Sequence, residues 1–99
     1  MIIGTTPHHI FNVPLVASEI VEVKVTYRQN GETILEKHTA DCEIKDYMVT
    51  LRLSQEDTFK FSTLYSVELQ IRVKTSGGDV ASSHPIKISA DMCLDNEVL

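Results

Sequence analysis

The 99 residues contain no tryptophan, and their aromatic complement is three Phe and three Tyr. Rings this sparse, with few basic neighbours, exclude a base-stacking platform for single-stranded nucleic acid. Basic residues are scarce too: 9 Lys and Arg stand against 14 Asp and Glu, for a formal net charge of −5. That balance excludes a phosphate-backbone grip on DNA or RNA. The two cysteines, Cys42 and Cys93, lack CxxC spacing, which excludes a disulfide scaffold and the common zinc patterns, and free thiols are expected. No apolar run approaches the roughly 18–20 residues that a membrane-crossing helix needs. The start, "MIIGTTPHH", has neither the basic nor the apolar region of a secretory signal, so a soluble cytoplasmic product is expected.

What is present is a 42% apolar content, enough for one core, arranged with period two. In "EIVEVKVTYR", Val21, Val23, Val25 and Tyr27 alternate with Glu22, Lys24, Thr26 and Arg28. In "YSVELQIRVK", Val67, Leu69, Ile71 and Val73 alternate with Glu68, Gln70, Arg72 and Lys74. "MVTLRLS" repeats the pattern with Val49, Leu51 and Leu53 inward, and "PIKISADM" with Ile86, Ile88, Ala90 and Met92. Such alternation puts each apolar set on one face of a strand, and four one-sided strands need a second layer to cover them. "HHIFNV" and "TILEKHT" supply weaker strands.

The connections are short. Asn30-Gly31 is the strongest two-residue hairpin signal because both residues tolerate positive φ, so the flanking strands are predicted as antiparallel neighbours. "KDY" at 45–47 predicts another turn, and Gly77-Gly78-Asp79 a third. "SQED" at 54–57 predicts a single helical turn, with Ser54 accepting from the amide of Asp57. Six or seven short strands joined this way predict an all-β fold: one antiparallel β-sandwich domain over residues 1–99, with a possible N-terminal arm at 1–7 and a flexible tail at 94–99.

Residues 50–89, "TLRLSQEDTFKFSTLYSVELQIRVKTSGGDVASSHPIKIS", resemble the last three strands of immunoglobulin-like and fibronectin type III domains. The resemblance implies a strand ending at Leu53, a polar corner, a strand led by Tyr65, a Gly-rich turn and a final strand led by Pro85. Tyr65 then becomes a candidate corner tyrosine, its hydroxyl bonding back to the preceding loop. The first half departs from that pattern. It has no Trp, and the segment before Val21 is short for two full strands.

Candidate chemistry is thin. "TSGGDVASSH" lacks the Lys-Ser/Thr and following helix of a phosphate loop, and the Gly-x-Ser-x-Gly of a nucleophile elbow, so it is expected to be a turn and a solvated strand. His8 and His9 are adjacent, which sends them to opposite faces of a strand, and His38 and His84 stand at no ligand spacing from them. The acids of "DCE" at 41–43, Asp46, Glu56 and Asp57 are expected as a solvated rim rather than a calcium site. Phe59 and Phe61 in "TFKF" are expected to plug the base of the sandwich, with an exposed contact pair as the alternative.

The ends "MIIGTTPHHIFNVP" and "CLDNEVL", together with "LSQEDTFKF", resemble a group of small uncharacterised proteins of phages and prophages of Gram-positive bacteria. The resemblance implies a setting among virion morphogenesis genes, and hence a non-enzymatic structural or assembly protein, made in the host cytoplasm and carried into the virion. Its partners would be phage structural proteins or further copies of itself, with no nucleic acid, membrane, small-molecule substrate, cofactor or metal. The alternative is an inhibitor of a host defence factor whose acidic surface mimics nucleic acid. The residues expected to touch a protein partner are the apolar arm Met1, Ile2 and Ile3, the rings Phe59 and Phe61, and the tail residues Val98 and Leu99.

Overall fold

The computed structural model describes residues 1–95 and 97–99. Among the described residues eight strands and one α-helical turn follow in order: β1 (His8–Asn12), β2 (Ile20–Gln29), β3 (Glu32–His38), β4 (Cys42–Lys45), β5 (Met48–Arg52), α1 (Gln55–Phe59), β6 (Val67–Thr75), β7 (Val80–Ser82) and β8 (Ile86–Ile88), with 3-10 turns at Ala17–Glu19 and Thr39–Asp41. They form two antiparallel sheets, a narrow one ordered β1-β5-β4 and a wide one ordered β3-β2-β6-β7, with β8 also on β6. The fold is therefore the all-β sandwich that the alternation predicts. This order leaves β1 and β4 as the two edges of the narrow sheet.

The core lies between the sheets, where Val23, Val25, Tyr27, Val49, Leu51, Leu53 and Val67 are fully buried. Burying an aliphatic side chain of this size stabilises the fold by roughly 1.5–3 kcal/mol relative to exposure. Alternation holds along β5 and β6, whose predicted inward residues are all buried. It fails at the start of β2. A bulge between Ile20 and Glu22 inserts an extra residue, so Ile20 turns inward and Val21 is left 53% exposed. It fails again in the last strand, which ends at Ile88 and leaves Ile86 and Met92 exposed. A further departure is β4. The acids at 41–43 and Asp46 are expected as a solvated rim, yet Cys42–Lys45 pair with β5 from Cys42↔Leu51 to Lys45↔Met48.

The turns follow local chemistry. Asn30 and Gly31 both take positive φ, 48° and 78°, and close the β2–β3 hairpin. In the Gly-rich turn only Gly78 needs the left-handed region, at φ 89°, and the Thr75 amide donates to the Asp79 carbonyl at 2.8 Å. Ser54 caps α1 as its spacing predicts: its hydroxyl accepts from the Asp57 amide at 3.0 Å, while the Asp57 carboxylate accepts from the Ser54 amide at 3.0 Å. The corner before β6 is built differently from the expectation for Tyr65. The buried Gln29 side chain donates to the carbonyls of Ser62 and Tyr65 at 2.7 and 3.0 Å and accepts from the Ser62 amide at 2.8 Å. The Tyr65 ring points outward, so the corner is held by an amide side chain on β2.

Candidate functional site

The predicted contact residues divide sharply by burial. The N-terminal arm is docked rather than free: Ile3 donates to the Asp91 carbonyl at 2.9 Å, and the Asp91 amide donates to the Met1 carbonyl at 2.8 Å. This places Ile3 in the core at 9% exposure, packs Met1 partly against it, and leaves Ile2 outside. Phe61 is buried at 5%, its ring meeting that of Tyr27 edge-on at 5.9 Å between centroids. Phe59 is half-buried beneath Gly4, where an added Cβ would come within 3.3 Å of the Phe59 ring. The rings are therefore core plugs, and Ile3 and Phe61 have no surface to offer a partner. Val98 and Leu99 are exposed, and the Leu99 amide donates to the Gln55 side chain at 3.1 Å.

Two polar pairs are largely covered, and the first of them lies between the sheets. His9 on β1 meets the hydroxyl of Tyr27 on β2 through Nδ1 at 2.7 Å, with the two rings 5.6 Å apart. Burial, aided by the chain's amino group, holds the His9 imidazolium below its usual pKa. Burial also pushes the Tyr27 hydroxyl far up, with Cys42 and Asp57 adding to the shift, so this pair is neutral near pH 7. The second pair is Lys37 and Asp57, 3.0 Å apart and largely covered. Burial opposes the Asp57 charge, but the Ser54 amide and the Lys37 ammonium outweigh it and hold the carboxyl below its usual range. Burial, helped by Asp41, raises the Cys42 thiol, and Cys42 and Cys93 are unpaired. Among the described residues no three His, Cys, Asp or Glu come together as a metal site, and no helix is long and apolar enough to cross a membrane.

The distinctive surface is the outer edge of β1, which pairs with β5 on one side only. Pro7 and Val13 bond to the residues that flank β5, the Leu53 amide donating to the Pro7 carbonyl and the Val13 amide to the Tyr47 carbonyl. Antiparallel ladders alternate, so the backbone groups of His8, Ile10 and Asn12 face away from β5 along an open edge. Ile10 is the central residue of that edge, and its side chain, 59% exposed, stands on the outer face of the narrow sheet. At the Asn12 end of β1 a cleft of ≈ 170 Å³ opens towards β7, lined by Asn12, Val13, Pro14, Ile71, Val73 and Ala81. The arm at residues 1–3 closes only the other end of this side, beside Asp91.

Comparison of the chain with protein-family models, with curated proteins and with solved structures finds no match. An exposed sheet edge is among the contact elements expected from the sequence, beside the two termini and the Phe59 and Phe61 rings, but nothing in the sequence singles out β1 as that edge.

Proposed function

We propose that this chain is a non-enzymatic protein-binding module, a phage structural or assembly component that works through contacts in the virion or during its morphogenesis. The observation that carries the protein-binding role is the open β1 edge with an apolar cleft beside it. Exposed backbone groups in a row accept an added strand, and apolar pockets alongside select its side chains. The phage setting rests on the resemblance of "MIIGTTPHHIFNVP", "LSQEDTFKF" and "CLDNEVL" to phage and prophage proteins.

The test is mass spectrometry of purified particles from the source phage, together with an Ile10→Lys variant. The chain is expected in particles or in an assembly intermediate, and the variant is expected to be lost from them. Absence from both would overturn the assembly role. The net charge of −5 favours the second reading, a module that blocks a host defence factor by acidic mimicry. That reading requires capture of one host complex from lysate, with binding weakened as salt rises.

A further inference from the structure

The edges of the two sheets are not equivalent. β3 carries Glu32, Glu36 and Lys37, and β4 carries Glu43 and Lys45. The β7–β8 edge is interrupted: Ser82 pairs with Arg72 and Ile86 with Leu69, leaving one extra residue in the Ser83–Pro85 segment. Charges and irregularities of this kind block strand addition. β1 has neither. Its sequence, HHIFN, holds no Asp, Glu, Lys or Arg, and it is regular from His8↔Arg52 to Asn12↔Met48.

β1 is also complementary to itself. An antiparallel pairing about a two-fold axis at Ile10 sets Ile10 against Ile10 of the partner subunit and His8 against Asn12 of the partner subunit. These are the residues whose backbone groups face outward, so each facing pair exchanges both N–H···O bonds. Pro7 and Pro14 bracket the strand, so both copies stop pairing at the same point and neither leaves an overhang. Two molecules of net charge −5 repel in general, and contact between them is favoured where neither presents a carboxylate. β1 is such a place, and its exposed Ile10 gains a cross-strand apolar neighbour there.

We propose that the chain forms a two-fold dimer in which β1 pairs with β1 of a second copy, joining the narrow sheets into one continuous sheet β4-β5-β1-β1-β5-β4. This rests on the protein-binding reading of the β1 edge and names the partner as the chain itself. The contact is isologous and closed, so it yields dimers rather than fibres.

Sedimentation velocity of the full chain over a concentration series tests it. The wild type is expected to move from monomer to twice the monomer mass, and Ile10→Lys, which places two ammonium groups face to face, is expected to stay monomeric while keeping its thermal unfolding transition. The register is read separately by Ile10→Cys. Cα atoms of a hydrogen-bonded antiparallel pair lie about 5.5 Å apart, within disulfide reach. Oxidation should therefore give a 10–10 cross-linked dimer by mass spectrometry, and Thr50→Cys, one strand in from the edge, should not. A wild type that is monomeric throughout, or a dimer indifferent to Ile10→Lys, would overturn the pairing. A monomer still found in particles overturns the pairing alone, whereas a β1-paired dimer absent from them overturns only the assembly role.

Discussion

The wide and narrow sheets solve the same problem with different degrees of closure. In the wide sheet, β2 and β6 form the longest ladder, from Ile20↔Thr75 to Arg28↔Glu68, and each has a strand on its other side. In the narrow sheet only β5 is flanked on both sides, and β1 and β4 are both edges. Yet the narrow sheet supplies Val49 and Leu51, two of the fully buried residues, and it carries the open edge. The difference separates two demands: an interior strand fixes the core, while an edge strand determines what the molecule can join.

The strongest way to break that contrast is at β5. Leu51→Ala removes a fully buried side chain from the one interior strand of the narrow sheet, and about 2–5 kcal/mol of stability should be lost in urea unfolding. Against a typical total of about 5–15 kcal/mol, that loss should shift the midpoint severely. Gln29→Ala acts on the wide sheet instead, leaving two carbonyls and an amide of the 62–65 corner without their partner. A cost of about 1–3 kcal/mol is expected, with faster hydrogen exchange at the Ser62 amide.

A pH series addresses the pair that bridges the sheets. Because the His9 pKa is lowered on folding, the unfolded chain binds the proton more readily. Stability should therefore fall as pH drops below about 6.5, the ordinary histidine value, and level off below the folded pKa. Asp57, lowered as well, contributes stability that is present above the ordinary carboxylate range and lost only at more acidic pH. In His9→Gln the first loss should vanish and the second remain, by thermal melts across the series. The smallest effect is expected at Val21. Period-two alternation makes it a core residue, whereas the bulge exposes it, so Val21→Thr should change stability by no more than about 0.5 kcal/mol.

Much of the wide sheet was legible because its central strands are half-buried on a regular pleat, and burial writes itself into sequence as alternation. β5 was legible for the same reason, and the Ser54 cap because it depends on residues only three apart. β4 was not, since at an edge only Cys42 and Ile44 are half-covered and the charges of Glu43 and Lys45 dominate the pattern. The bulge at Val21 left no sequence mark, because an extra residue shifts phase without changing composition. The candidate site was the least legible part. The apolar start drew attention to Ile3, and "TFKF" offered Phe61 as a core plug or a contact; both pack inward, while the open side of β1 depends on sheet order, which no local pattern of residues records.

Gln29 has a consequence for how this molecule could vary. Its side chain bonds to main-chain atoms of Ser62 and Tyr65, and to none of their side chains. The corner is thus anchored by its backbone alone, and the exposed side chains of Leu64 and Tyr65 take no part in the anchor. Their identities can change without loosening the joint that leads into β6, whereas a change in the number of residues between Ser62 and Tyr65 would pull the anchored carbonyls apart.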